Sequence, residues 1–297
     1  MIWLARAVSA RLVFLADDYA GYEVRGLLGQ HGLSVCIEVV DSDGAVHKIL
    51  FDTGQYADGV AHNARLLGVD LREVKAVVLS HNHYDHTGGL LGVLKAIEHR
   101  VPVIAHPDVF KPSIYIRGNN IRLNIGVPYT RRELEEAGAN FIVVRSPMEV
   151  APGVYFLGEI DRVHPELAPA LKGNYTLSSD GELVQHELRD DTGVAIAIEG
   201  LGTVAIGGCS HSGIVNIAEQ AARVTGMNVF AVMGGFHLVS ASRETISRVV
   251  EELKKMGVEE VHTGHCTGLV AEYAFLEAFG DRFRKIHSGY TVELKKR

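Results

Sequence analysis

Between Ser80 and Leu90 the chain reads Ser-His-Asn-His-Tyr-Asp-His-Thr-Gly-Gly-Leu, which sets His81, His83, Asp85 and His86 close together. Imidazoles two residues apart, as at 81 and 83, project to the same side of an extended stretch and can hold one cation. Asp85 continues that alternation. His86 falls on the other phase and needs the chain to turn, which Gly88-Gly89 permit. Three imidazoles and a carboxylate suit zinc, iron or manganese better than calcium or magnesium, which prefer oxygen shells. Such a pocket activates water by lowering its pKa towards about 7 and steadies charge on phosphoryl or acyl oxygens. Asp85 would hold a metal and could also take a proton from the nucleophile.

The elements that must position this cluster are readable around it. The apolar run Ala76-Val77-Val78-Leu79 leads in as a buried strand, and helical spacing follows over residues 90–99. Strands are expected over 11–15, 34–40, 46–51, 77–79 and 103–105, with helices over 61–67 and 131–137. Residues 106–130 lack clear periodicity and read as a long loop, a feature that is usually functional. In the second half, strands are expected over 141–144, 153–157, 194–198, 203–206, 229–233 and 260–262, with a closing strand over 290–293. Helices are expected over 214–224, 242–256 and 271–279. Strand runs followed by mixed strand and helix, in both halves, fit two sheets packed together with helices outside.

More of the chain follows a known pattern. His-x-His-x-Asp-His after an apolar strand resembles the signature of the metallo-β-lactamase superfamily, as does Ile49-Leu50-Phe51-Asp52-Thr53-Gly54. His31-Gly32-Leu33-Ser34, Gly208-Cys209-Ser210-His211-Ser212-Gly213, Gly234-Gly235-Phe236-His237-Leu238 and Gly264-His265-Cys266-Thr267-Gly268 narrow the resemblance. Together they look like the branch of dihydropterin ribofuranosylaminobenzene phosphate synthases and related metal-dependent hydrolases. The resemblance implies an α/β fold, one four-layer αβ/βα sandwich over residues 1–297 with two mixed sheets, helices outside and metals at one edge. It maps His211 and His265 to metal ligands alongside His81, His83, Asp85 and His86, around two divalent ions, zinc first and iron or manganese as alternatives. The usual bridging carboxylate is missing after residues 203–206, where the chain reads Gly208-Cys209-Ser210-His211. Asp191, in the acidic pair Asp190-Asp191, could supply it or could be a solvated turn. His237 matches a branch motif and is expected to touch substrate or act as an acid or base, with packing at a helix start as the alternative. Asp52 is placed to accept the free ring N–H of a metal-bound His. Cys209 and Cys266 read as buried thiols, His262 as packed, and His47, His62, His99, His186 and His287 as surface or helix-end residues.

Three cations in the long loop, Lys111, Arg117 and Arg122, are the candidates for gripping an anionic phosphorylated small molecule; a solvated charged loop is the alternative. The branch implies joining a pterin pyrophosphate to an aminobenzene ribofuranosyl phosphate with loss of pyrophosphate. A phosphodiesterase or other phosphoester hydrolase on the same metals is the second reading, and a non-catalytic metal- or ligand-binding protein the third.

Composition narrows the setting. The 297 residues are 47% hydrophobic and 22% charged, ordinary for a chain with a substantial core. A net charge of -7 argues against a broad nucleic-acid surface. Three cysteines without a Cys-x-x-Cys pair argue for a reducing compartment. The opening segment is broken by Arg6 and Arg11, making it a poor secretion signal, and no long apolar run suggests a membrane span, so a cytoplasmic protein is expected.

Overall fold

The structure is a computed structural model that describes residues 5–118 and 121–296, with the backbone alone at Arg117, Ile121 and Arg122. The chain opens with β1 (Ser9–Ala16), β2 (Ser34–Val40) and β3 (Val46–Phe51), antiparallel neighbours whose last pair turns at the Asp41-to-Gly44 stretch. Helix α1 (Ala57–Leu66) leads to β4 (Val74–Val78), and the short α2 (Tyr84–Thr87) and α3 (Leu90–Ile97) lead to β5 (Val101–Ala105). A two-stranded excursion, β6 (Ile114–Arg117) and β7 (Ile121–Asn124), precedes α4 (Arg131–Glu136) and β8 (Ala139–Val143).

The second half begins with β9 (Met148–Ala151) and β10 (Val154–Phe156), then β11 (Asn174–Leu177) and β12 (Leu183–Gln185). It continues through β13 (Gly193–Ile198), β14 (Gly202–Gly207), α5 (Ile214–Thr225), β15 (Val229–Gly235), α6 (Arg243–Lys255), β16 (Glu260–Gly264), α7 (Leu269–Phe279) and β17 (Phe283–Lys285). A last strand, β18 (Thr291–Lys295), returns to pair with β1.

Two seven-stranded mixed sheets result, ordered β18-β1-β2-β3-β4-β5-β8 and β17-β16-β15-β14-β13-β10-β9. Three apolar layers hold them. Leu12, Phe14, Phe51, Phe156, Ile196 and Met233 fill the space between the sheets. Val60, Leu90, Leu94 and Ile97 seal α1 and α3 onto the outer face of the first sheet. Ile217, Val249, Leu253 and Phe275 do the same for α5, α6 and α7 on the second. Helix, sheet, sheet, helix is therefore the observed order, the four-layer αβ/βα sandwich that the resemblance implied. Strands buried on both faces read as continuous apolar runs, as β13 and β14 do.

The long loop expected over residues 106–130 departs from its reading. It contains a 3₁₀ turn, Pro107–Phe110, and the β6–β7 hairpin, which joins β11 and β12 in a separate four-stranded sheet. Ile-Tyr-Ile-Arg and Ile-Arg-Leu-Asn do alternate, but a period carried by four residues is too short to stand out. The anion contacts expected of the Arg117 and Arg122 side chains, and Asn119 and Asn120 themselves, lie outside the described residues.

Candidate metal centre

All the donors at this site but one, His31 before β2, follow the C-terminal end of a strand. Asp17 and Asp18 follow β1, Asp52 follows β3, the 81–86 cluster follows β4, Cys209 and His211 follow β14, His237 follows β15, and His265 follows β16. Strands β3 and β4 are parallel, as are β14, β15 and β16, so these ends gather on one edge of each sheet. The two edges meet. His86 Nε2, from the first sheet, stands 3.2 Å from Cys209 Sγ and 3.3 Å from His265 Nε2, both from the second. Backbone strain gathers here too: Asp52, Ser210, His237 and His265 are four of the six non-glycine residues with positive φ among those described. Such conformations persist where the surroundings over-determine them, most often at functional sites.

One group of donors is a triangle of imidazoles. The His81 and His83 rings are centred 4.6 Å apart, and each lies 5.0 Å from the His211 ring. Nε2 of all three is buried without a protein partner. A buried polar atom left unpaired is costly, so three together fit a cation site. Burial pushes the His83 imidazole down to about 3 and holds His81 and His211 well below the usual histidine range. The triangle is therefore neutral at physiological pH, with lone pairs ready to ligate.

A second group carries charge. Asp85 Oδ2 lies 3.3 Å from His265 Nε2 and 3.5 Å from His86 Nε2, with Cys209 Sγ 3.3 Å from the same His265 nitrogen. Ligand atoms of Asp85, His86, Cys209 and His265 all fall within 4.8 Å of one another. Burial alone would raise the Asp85 carboxyl, but His86 and His265 outweigh it and hold it well below the carboxylate range. Burial likewise pulls His86 down, yet Asp85 and Asp52 lift it to about 9. Imidazole, carboxylate and thiol donors gathered this closely fit a divalent metal site.

Carboxylates behind the histidines set which nitrogen faces inward. Asp52 is fully buried; its Oδ2 accepts His86 Nδ1–H at 2.6 Å and the Ser80 hydroxyl at 2.6 Å, while Oδ1 accepts the Ser80 amide at 2.7 Å. Because its proton is given to Asp52, Ser80 Oγ is left to accept from His81 Nδ1 at 2.9 Å. One carboxylate thus fixes His86 directly and His81 through a hydroxyl, so that both present Nε2 to the centre. Asp18 does the same for His265, its Oδ1 2.9 Å from Nδ1, and Asp17 accepts the His265 amide at 2.8 Å. Crowding around these groups explains two glycines. A Cβ on Gly32 would sit 1.8 Å from the Asp85 carbonyl oxygen, and one on Gly208 would sit 2.1 Å from Ser80 Oγ.

The structure brings His81, His83, Asp85, His86, His211 and His265 to this one edge, with Asp52 behind them. His237 lies beside them, its ring 4.3 Å from that of His211 and its Nδ1 buried without a partner. Asp191 lies against the loop that carries His211: Oδ2 accepts the Ser212 amide at 2.8 Å and its hydroxyl at 2.6 Å, and Oδ1 is buried without a partner. Among the described residues it enters no group of donors close enough to share a metal. Lys111 gives its ammonium to Asp108 at 2.7 Å and lines a separate cavity of about 630 Å³ with His186 and Arg189. His186 is buried rather than at the surface, with Nδ1 2.8 Å from Ser113 Oγ. Asp18, His31 and Cys209 were not assigned to the site from sequence. His31 Nε2 stands 3.5 Å from Asp85 Oδ2 and Nδ1 3.2 Å from Asp18. Their signals were present, as an acidic pair ending the first strand and as a histidine and a cysteine inside glycine-flanked motifs.

A sandwich with histidine-rich strand ends on one edge defines a class of metal-dependent enzymes, and comparison with known proteins agrees. Residues 32–220 match the sequence pattern of the metallo-beta-lactamase superfamily. The chain belongs to that superfamily. It is 37% identical over 294 residues, 98% of both chains, to 7,8-dihydropterin-6-methyl-4-(beta-D-ribofuranosyl)-aminobenzene-5'-phosphate synthase of Methanocaldococcus jannaschii. An uncharacterized protein of the same organism is 31% identical over 82% of this chain and 86% of its own. Among solved structures, a metal-dependent hydrolase of the beta-lactamase superfamily superposes with a TM-score of 0.80 at 28% identity, covering 96% of this chain and 99% of that one. No helix among the described residues is long and apolar enough to cross a membrane.

Proposed function

We propose that this protein is a metal-dependent transferase that joins a dihydropterin carrying a pyrophosphate to an aminobenzene ribofuranosyl phosphate. The observation that carries the reading is the full-length match to the synthase, together with two sets of metal donors on one edge. In the balanced reaction the arylamine nitrogen bonds to the pterin methylene carbon, the bond from that carbon to pyrophosphate oxygen breaks, and the amine gives up a proton. Divalent ions, zinc first, supply charge stabilisation to the departing pyrophosphate when bound. His81, His83 and His211 would hold one ion, and Asp85, His86 and His265 the other. His237 would take the amine proton, a role supported by its buried, unpartnered Nδ1. Lys111, Arg117 and Arg122 remain candidates for the substrate phosphates.

The test is direct: purified protein with both substrates and zinc, followed by release of pyrophosphate and appearance of the coupled product. Pyrophosphate release that does not depend on the arylamine would point to hydrolysis. That second reading is favoured by the 0.80 superposition on a metal-dependent hydrolase, with water in place of the amine.

A further inference from the structure

We propose that the Cys209 thiolate is the bridge between the two metal ions, in the place where the superfamily usually sets a carboxylate. The inference rests on the two-ion reading above. Its ground is a double membership. Cys209 Sγ lies within 4.8 Å of ligand atoms of Asp85, His86 and His265, and also within 4.8 Å of ligand atoms of His81 and His211. Among the described residues no other side chain belongs to both groups. Independent atoms on the His81 side point to a ligand there: Nε2 of His81 and of His211 are buried and unpartnered.

Cys209 itself is 2% exposed, at the end of β14, so its sulfur faces the centre and not solvent. A second thiol supports it. Cys266 Sγ lies 3.4 Å from Cys209 Sγ in a donor's position, and the His237 amide donates to Cys266 Sγ at 3.2 Å. A thiolate shared by two cations would accept that S–H, as bridging carboxylates accept hydrogen bonds from their surroundings. On ligation the Cys209 S–H bond breaks, sulfur–metal bonds form, and the proton leaves to solvent. A soft bridging donor also biases the centre towards zinc and ferrous iron and away from manganese, which favours oxygen.

Cobalt(II) titration of metal-stripped full-length protein tests this, because thiolate ligation to cobalt gives a near-ultraviolet charge-transfer band. We expect two equivalents bound, with the band growing across both. Cys209→Ser should abolish the band, and Cys266→Ser and Cys36→Ser should keep it. Cys209→Asp should restore two equivalents without the band, which separates loss of the bridge from loss of the fold. Two equivalents with no band in the unmodified protein, or a band that survives Cys209→Ser, would overturn the thiolate and leave the two-ion reading standing. A band complete after the first equivalent would assign the sulfur to one ion and overturn the bridge. A single equivalent in total would overturn both.

Discussion

Replacing Asp52 by Asn tests whether this buried carboxylate sets the histidine tautomers. Asn keeps the size of the side chain and tolerates the left-handed backbone at this position, where φ is 58°. It removes the charge and turns one acceptor into an NH₂ group. The retained oxygen can still accept the Ser80 amide, but the other end then faces two donors, His86 Nδ1–H and Ser80 Oγ–H. His86 can relieve the conflict by moving its proton to Nε2, which closes that nitrogen to metal. Reversing Ser80 has the same consequence for His81. Loss of a supporting partner of this kind costs about 10- to 100-fold in metal affinity, or roughly 1.4–2.8 kcal/mol. The metal-free protein loses a charge-assisted hydrogen bond as well, about 1.5–3 kcal/mol of stability. Competition against a chromophoric chelator would read the affinities, and thermal melting of stripped protein the stability. On the two-ion reading both metal equivalents should weaken, since Asp52 reaches a histidine in each donor group. Unchanged affinity for both equivalents would refute the tautomer argument, and weakening of one alone would refute the Ser80 relay.

Three further outcomes follow from the same geometry. His83→Ala should lower bound metal while leaving the stripped protein's melting temperature nearly unchanged, because Nε2 has no protein partner to lose; full metal content in elemental analysis would contradict the triangle. Gly32→Ala should destabilise by about 3 kcal/mol or more, since its Cβ would meet the Asp85 carbonyl at 1.8 Å at a φ of +113°. Gly44→Ala, in open space at φ +81°, should cost only about 1 kcal/mol, and equal denaturant midpoints for the two would count against the clash. Burial, then Lys111, pushes the His186 imidazole down to about 4 from its ordinary 6.5. The unfolded chain therefore binds more protons between those values, so stability is fully present above about pH 6.5 and falls as pH drops towards 4. The loss is about 2 kcal/mol after solvent screening; His186→Gln should flatten that part of the melting profile, and an identical profile would show that another group titrates there.

The sandwich was legible because its elements are long and their periods agree, as the apolar runs of β13 and β14 and the amphipathic α6 show. His81 through His86 were legible because one turn carries four donors. What the sequence hides is convergence between distant segments. Asp18 reaches His265 across nearly the whole chain, 247 residues away, and no local spacing encodes that contact. Cys209 is the sharper instance. In sequence it lies beside His211 and reads as a small apolar residue ending a buried strand. Only the meeting of β14 with the loop after β4 puts its sulfur 3.2 Å from His86 Nε2. Asp191 makes the same point: its carboxylate type fits a bridge, and the fold sets Ser212, 21 residues on, against one of its oxygens while the other lies buried without a partner. Residue chemistry narrows the candidates for a site, and the strand order that brings two sheet edges together sets which of them meet.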